Sequence, residues 1–243
     1  MMPQEVCSPA TARLHRWRGV HPRAAEAFTL IELLAVIAVV AILAALVVPA
    51  IQGAMMKAKR AEAVSNIREL GMAHLAYANE HGGKLPPLSD EATPGGNTAG
   101  NRWMDLILPH LGYDMDYPAK QRAKGNPLHY PEVFYNPLVE RHFPWTDFGV
   151  NRNVYTRPQE STRLVELESL RYIMLMDAGS VGHSQWDSGW MIQGRANPDG
   201  SNVAARPDNQ LSAVFFDGSV RTFDREYYLE NSADLVGPNL RLE

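Results

Sequence analysis

Residues 28–51 read FTLIELLAVIAVVAILAALVVPAI, an apolar stretch with one acidic side chain, Glu32, near its start. As an α-helix rising 1.5 Å per residue, the stretch would extend about 36 Å, which is enough to cross a bilayer. An ionised carboxylate in the hydrocarbon region costs roughly 2.5–3.5 kcal/mol and persists where it has a partner. The sequence therefore predicts a transmembrane helix, and the partner of Glu32 becomes the functional question.

Residues 1–27 form a polar leader ahead of this stretch. Its four arginines are Arg13, Arg16, Arg18 and Arg23. A secretory signal peptide has an apolar core of about 7–15 residues, so the longer stretch here predicts a retained anchor. The positive-inside tendency predicts that the leader stays in the cytoplasm and the C-terminal bulk crosses the membrane. Lys57, Lys59 and Arg60, beyond the stretch, oppose this orientation.

The junction between leader and helix carries the motif AFTLIE at 27–32. With the apolar run that follows, it resembles the class III signal of type IV prepilins and type II secretion pseudopilins. In that family a membrane peptidase cuts before the Phe and methylates the new amino terminus. The resemblance implies cleavage between Ala27 and Phe28, N-methylation of Phe28, and Glu32 as the fifth mature residue. Ala27 replaces the usual Gly, and Glu26 stands where basic or neutral residues are more usual, so we expect cleavage to be slower.

The same resemblance implies a partner for Glu32. Packing identical helices in a filament brings the positive Phe28 amino group of one subunit close to Glu32 of a neighbour. Opposite charges attract strongly in a low dielectric, and good geometry lets this attraction offset desolvation. The ion pair would fix the register between subunits. The alternative is an ordinary single-pass anchor in which Glu32 reaches the lipid headgroups.

Pro49 lies inside the apolar stretch. Proline has no backbone N–H, and its ring clashes with the carbonyl group four residues earlier, at Ala45. A kink or local melting of the helix is therefore predicted at Pro49. Proline at this place is common in pilin-like proteins, so it agrees with the resemblance.

The sequence after Gly53 changes from continuously apolar to amphipathic. Small and apolar residues recur every three or four positions, and they are Ala61, Val64, Ile67, Gly71, Leu75 and Ala78. The charged residues that fall on other sides of the helix are Glu62, Arg68, Glu69 and Glu80. Two glycines at 82–83 and two prolines at 86–87 end the helix. One helix is therefore predicted over 28–81, its second half packed on a soluble domain.

Residues 83–243 alternate short apolar stretches with turn signals, which predicts a loop-rich domain around a small antiparallel sheet. The predicted elements are a loop over 90–101, a short helix over 103–111 closed by Gly112, and strands over 171–177 and 189–193. The strongest local signal is 212–223, where Asp217-Gly218 separates two apolar runs. Asp-Gly favours a tight type I′ hairpin, because both central residues must adopt positive φ.

The C-terminal part resembles the prepilin-associated H-X9-DG domains of pseudopilin-like families. The segments that carry the resemblance are 101–111, 133–137, 147–151, 172–177 and 215–220. Two signature residues are absent. Asn136 stands where the family has Cys, and Pro207 stands at the His position before Asp217-Gly218. Any function that needs that Cys or His is not expected of this chain.

The composition argues against several kinds of site. Cys7 is the one cysteine, so neither an intramolecular disulfide nor a cysteine metal site can form. The net charge of −4 argues against nucleic acid, which needs a concentrated basic surface. The basic loop with Lys120, Arg122 and Lys124 is therefore interpreted as a solvated turn. The chain has no HExxH, CxxC or GxSxG pattern, so we predict no catalytic residue and no enzyme activity.

Calcium is the one cofactor that the sequence leaves open. It prefers hard oxygen ligands, and Asp177, Asp187 and Asp217 fall in or near loops of the sheet region. Their spacing is not diagnostic, and the resemblance adds that some major pseudopilins bind calcium in a C-terminal loop. Trp186 and Trp190 flank Asp187 and suit either stacking on a sugar or partner surface or packing in the core.

Together these features predict an α+β, pilin-like fold in which one long N-terminal helix packs on a small antiparallel sheet with long loops. The predicted parts are a cleaved leader over 1–27, a helix over 28–82 that crosses the membrane over about 28–51, and a periplasmic or extracellular domain over 83–243. The resemblance implies a prepilin peptidase/N-methyltransferase, other pilin or pseudopilin subunits and an inner-membrane assembly platform as partners. The predicted function is a structural subunit of a type II secretion pseudopilus or type IV pilus-like filament. The alternative is a membrane-tethered protein that binds polysaccharide or another ligand and does not polymerise.

Overall fold

The computed structural model describes residues 29–87, 102–139, 146–151, 154, 163–167, 170–178, 191–192 and 206–237. An α-helix, α1, runs over Leu30–Glu80, and the chain divides into two compact units between Ala50 and Ile51. The second unit holds the rest of α1 together with the sheet. The long N-terminal helix and the small sheet confirm the predicted α+β fold class. The leader, the loop over 90–101 and Asp187 with its flanking tryptophans lie outside the described residues.

Five strands form one sheet in the order β3-β1-β2-β4-β5. Their bounds are Phe148–Asn151 for β1, Ile173–Asp177 for β2, Met191–Ile192 for β3, Gln210–Phe215 for β4 and Val220–Asp224 for β5. The strands β1, β2, β4 and β5 pair antiparallel, as predicted. The short strand β3 pairs parallel with β1, an addition to the antiparallel sheet that the sequence did not predict. Parallel neighbouring strands need a crossover connection. The long connection from β1 to β3, which includes β2, provides it.

The connection between β4 and β5 confirms the predicted hairpin but not its turn type. Gly218 N–H donates to Phe215 O at 2.9 Å, Phe215 N–H donates to Ser219 O at 2.9 Å, and Gly218 has φ of +79°. Among the described residues, Asn209 is the one non-glycine residue with positive φ, so Asp217 does not meet the type I′ requirement. The loop has three residues and ends in a left-handed glycine, the type I turn with a G1 bulge. Burial of Phe216 in the core favours this longer loop.

The second half of α1 packs on the sheet through one face. Its buried residues are Ala63, Ile67, Leu70, Gly71, Ala73, His74 and Ala78. The predicted face is confirmed at Ile67, Gly71 and Ala78, but Ala61 is exposed and Ala63 is buried in its place. Because the sequence offers alanines at both positions, only tertiary packing selects between them.

The central strands β2 and β4 are covered on both faces. Leu175 and Val214 pack with the buried face of α1 in one apolar cluster. Leu211, Ala213 and Phe215 pack in a second cluster, together with Tyr228 and Val236 of helix α4, which runs over Arg225–Val236. Successive side chains of a strand point to opposite faces, so α1, sheet and α4 form three layers. We did not predict α4, because the residues of this helix that reach the sheet are few and widely spaced.

The remaining predicted elements are found in shorter pieces. The helix predicted over 103–111 is an α-helical turn, α2, over Trp103–Leu106, followed by a 3₁₀ turn over Leu108–Leu111. Gly112 ends this turn in the left-handed region, at φ of +80°. A further helix, α3, covers Tyr117–Ala123, where a basic loop was predicted. The other 3₁₀ turns lie over Glu132–Phe134 and Leu164–Glu166.

The two glycines after α1 end the helix, as predicted. Gly82 has φ of +65°, and the N–H of Gly83 donates to Ala78 O at 2.7 Å. A left-handed residue followed by this hydrogen bond is the Schellman pattern of helix C-termini. The chain therefore leaves α1 at the place that the glycine pair indicates.

Candidate functional site

Glu32 lies in the first turn of α1 and is held by Thr29. The backbone N–H and the hydroxyl of Thr29 donate to Oε2 of Glu32 at 2.9 and 2.8 Å, and Glu32 N–H donates to Thr29 Oγ1 at 3.3 Å. This reciprocal pattern is a capping box with Thr29 as the N-cap. Ala27 and Phe28 lie outside the described residues, so cleavage and methylation there stay predictions.

The capping box gives Glu32 an internal partner that we did not predict, although Thr-x-x-Glu is its usual signature. The box occupies Oε2 alone, and Oε1 accepts no hydrogen bond from any residue in the described part of the chain. An ionised carboxylate can accept about four hydrogen bonds. The geometry therefore fixes the carboxylate at the start of the helix and leaves one oxygen without a hydrogen bond from the described residues.

The apolar half of α1 is exposed. Every large apolar side chain from Leu30 to Ile51 is more than half exposed. Among the described residues, α1 is the one helix whose length and composition suit a membrane crossing. Apolar surface of this extent marks a site of membrane or protein contact, which agrees with the predicted anchor.

Pro49 lies within this part of α1, next to the division between the two compact units. The helix is unbroken from Ala45 to Gly53. Local melting is therefore not observed in the isolated chain. The kink at Pro49 stays a prediction.

Arg60 on α1 donates through all of its side-chain N–H groups to residues at the end of β2, just before β4 and in β4. Its Nε donates to Oδ2 of Asp208 at 2.9 Å, and its Nη2 donates to Oδ1 of Asp208 and, at 3.0 Å, to Gln210 O. Its Nη1 donates to Ser212 Oγ at 3.2 Å and to Asp177 Oδ2 at 3.4 Å. A guanidinium group has five N–H donors, and all five donors of Arg60 are hydrogen-bonded to the sheet and the residue just before β4. Burial raises the pKa of Asp208, but hydrogen bonds and the charge of Arg60 outweigh it and hold that pKa below its usual value.

Asp177, at the end of β2, is the acceptor at the middle of a polar centre. The side chains that form this centre are those of Arg60, Asn136, Asp177, Arg206, Asp208 and Ser212. Asp177 is fully buried. Besides Arg60 it accepts from the side-chain amide of Asn136, from Arg206 Nη2 at 3.5 Å and from Ser212 N–H at 2.7 Å. Two guanidinium groups thus supply the positive charge around Asp177. Its oxygens are committed to protein donors, which corrects the expectation that Asp177 is a calcium ligand.

Two of the calcium candidates, Asp177 and Asp217, lie apart. The backbone N–H of Asp217 donates to Leu170 O, so Asp217 lies beside the beginning of β2, whereas Asp177 lies at its end. At about 3.3 Å per residue, the length of β2 separates them by roughly 16 Å. No group of three or more potential metal ligands is found within the described part of the chain, and Asp187 lies outside it.

Both positions that depart from the H-X9-DG pattern lie at or beside the polar centre. Asn136 is buried, and its backbone N–H also donates to Asp147 Oδ2 at 2.9 Å while its Oδ1 accepts from Leu138 N–H at 2.9 Å. Pro207 is exposed, but the buried side chain of its neighbour Arg206 enters the centre. Asn136 and Arg206 are therefore structural residues of this chain, which the sequence did not indicate.

The predicted basic loop is helix α3 and is partly neutralised by its own acids. The Lys120 ammonium group lies 2.9 Å from Asp116 and 3.3 Å from Asp114. These carboxylates raise the pKa of Lys120. The pairing agrees with the interpretation of this segment as a solvated surface rather than a nucleic-acid site.

Comparison with known families decides what the N-terminal segment is. Residues 22–48 match the family model described as the prokaryotic N-terminal methylation motif. The N-terminal segment is type IV pilin-like. The motif of this pilin-like chain implies processing by a prepilin peptidase and association with pilin-type assemblies, and with the apolar half of α1 it fits a single-pass membrane anchor.

The match ends before Pro49 and includes no residue of the sheet domain. No curated protein and no solved structure matches this pilin-like chain. The resemblance of the domain to H-X9-DG proteins therefore stays a prediction. The N-terminal segment carries the assignment alone.

Proposed function

We propose that this pilin-like protein is a structural subunit of a type II secretion pseudopilus or a type IV pilus-like filament. A prepilin peptidase cuts between Ala27 and Phe28 and methylates Phe28. The apolar half of α1 then leaves the bilayer and packs among identical helices. The observation that supports this proposal most directly is the carboxylate of Glu32, which Thr29 holds through one oxygen while the other oxygen has no partner within the described chain.

The new amino group of a neighbouring subunit is the partner that this oxygen lacks. In apolar surroundings a carboxylate with one unsatisfied oxygen is costly, because desolvation is not compensated. A Phe28 ammonium group from the next subunit supplies both a charge and a donor. The capping box orients Glu32 beforehand, so less side-chain freedom is lost when the ion pair forms.

The chain resides in the inner membrane with its domain on the periplasmic or extracellular side, and an inner-membrane platform adds it to the filament. We also propose that it is not an enzyme. In support, the buried acids and arginines of the polar centre bind one another and leave no arrangement of nucleophile and base among them.

Substitution of Glu32 tests the proposal. We expect Glu32→Ala and Glu32→Gln to be inserted and cleaved as in the wild type, with N-methylated Phe28 at the mature terminus, but to form no filaments. Mass spectrometry of the N-terminus and electron microscopy of sheared filaments measure the two outcomes separately. Glu62→Gln, which removes an exposed acid from the same helix, is the matched control. Thr29→Ser keeps the capping hydroxyl and should assemble, whereas Thr29→Ala should assemble less.

Normal filaments from Glu32→Ala would contradict the proposal. They would favour the tethered ligand-binding protein, which needs no partner subunit. An uncleaved leader in the wild-type chain would contradict the processing step itself.

A further inference from the structure

The second compact unit begins at Ile51, within α1. The turns of α1 just after this point have an apolar surface that the rest of the unit does not cover. Ile51 is 51%, Met55 56% and Met56 36% exposed. Lys57 and Lys59 follow directly and are exposed as well. An exposed apolar run of this kind is unfavourable in water and marks a surface that meets another apolar phase.

The three basic residues beyond this run have different surroundings. Arg60 is 13% exposed and gives all five donors to the domain. Lys57 and Lys59, by contrast, form no ion pair with any residue that the structure describes. Two ammonium groups are thus left at the edge of an apolar surface, on long stems that can lie along it.

We propose that Lys57 and Lys59 bind the phosphate groups of anionic phospholipids in the leaflet that faces the domain. The inference rests on the membrane anchoring in the proposed function and deepens it by naming a lipid partner. It places the edge of the hydrocarbon region at Met56 rather than at Ile51. Pro49 then lies about two helical turns inside the edge of the bilayer before assembly, and a subunit that enters a filament must release these lipids.

The size of the effect follows from membrane electrostatics. A lysine near an anionic surface contributes about fivefold to the association constant, so two lysines contribute roughly 30-fold. Arg68, two turns further along α1, is exposed but lies beyond the apolar run. It should therefore contribute little.

The test uses the full-length chain reconstituted in phosphatidylcholine vesicles. Trace spin-labelled phosphatidylglycerol or phosphatidylcholine reports, by electron paramagnetic resonance, which lipid is enriched in the motionally restricted shell around the protein. We expect the enrichment of phosphatidylglycerol over phosphatidylcholine in this shell to be higher in the wild type than in Lys57→Gln/Lys59→Gln, by up to roughly 30-fold. Salt should reduce that difference. The arginines of the leader are the same in both chains and cancel in the comparison. Arg68→Gln is the control and should retain the wild-type preference.

Equal lipid preference in the wild type and the double variant would overturn the inference, as would an equal loss in Arg68→Gln. Either result would leave the anchor and the filament proposal standing. Absence of any motionally restricted lipid would instead mean that the chain is not anchored, and it would overturn the proposed function as well.

Discussion

His74 is a buried imidazole in the middle of the amphipathic half of α1. Its Nδ1–H donates to Leu70 O at 2.8 Å, and its ring lies 5.0 Å from the ring of Trp103. Burial lowers the pKa of His74 to about 4, and the hydrogen bond to Leu70 only partly opposes this. His74 is therefore neutral in the folded domain at neutral pH. The sequence pattern did not predict that this residue is buried.

The depressed pKa of His74 predicts that acid destabilises the domain. The folded pKa of about 4 lies below the unfolded value of about 6.5, so the stabilisation is complete above pH 6.5 and is lost as the pH falls towards 4. The shift corresponds to about 3 kcal/mol. Urea unfolding of the full chain in detergent, followed by tryptophan fluorescence at pH 7 and pH 4.5, measures it. The pH dependence should shrink in His74→Gln and persist in the control His81→Gln, and an unchanged dependence in His74→Gln would contradict this account.

Asn151 shows how one buried amide can join two layers. Its Nδ2 donates to Ile173 O and to Val236 O, both at 2.8 Å. It therefore ties β2 to the end of α4. The segment 147–151 resembles the family pattern through this asparagine, and the structure gives the residue a physical role.

At the scale of elements, α1 and β4 approach each other closely at Gly71. A Cβ at Gly71 would lie 2.7 Å from Cγ2 of Val214, well inside the normal separation of about 3.5–4.0 Å between carbon atoms. The glycine is needed for space and not for an unusual φ. It fixes where along its length the helix meets the sheet.

Substitution of Gly71 should therefore overpack this contact. We expect Gly71→Ala to lower the free energy of unfolding by about 1–3 kcal/mol, as added methyl groups do in well-packed cores. Gly53→Ala, on the same helix with no atom within 4 Å of the added Cβ, is the control and should not destabilise the domain. Denaturant unfolding of the variants measures both effects. Val214→Ala should restore part of the loss, and strict additivity of the two changes would contradict a direct clash.

At the scale of the whole molecule, the polar centre joins segments that are distant in sequence. Arg60 comes from α1, Asp177 from β2, and Asp208 and Arg206 from the segment before β4. Apolar contacts between helix and sheet tolerate small shifts, whereas a guanidinium group with five directed hydrogen bonds has one position. The centre therefore fixes where α1 first meets the domain.

Loss of Arg60 should leave a buried charge without its partner. We expect Arg60→Met to cost about 3–5 kcal/mol, because Asp177 would stay buried with less compensation. Arg60→Lys should recover little, since an ammonium group cannot reproduce the bidentate contact with Asp208. Thermal and urea unfolding measure the losses, with Lys59→Met as the exposed neighbouring control. A change below about 0.5 kcal/mol in Arg60→Met would contradict the role given to the centre.

The parts that could be predicted from sequence are those with a local physical signal. Continuous apolarity indicated the first half of α1, paired glycines indicated its end, and Asp217-Gly218 indicated the hairpin. The polar centre could not be predicted, because Arg60 and Asp208 look like ordinary surface residues until the fold brings them together. The same holds for α4, for the parallel pairing of β3 and for the exposure of Ala61, each of which depends on contacts distant in sequence.

Helices cover both faces of the central strands, and this limits where the sequence of such a domain can change without loss of the fold. With α1 on one face and α4 on the other, neither face of the central strands β2 and β4 is open to a partner. Recognition is then left to helix exteriors, strand edges and connecting segments, which can change in sequence without repacking the interior. Two chains could thus share this three-layer interior and still present unrelated surfaces to whatever they carry.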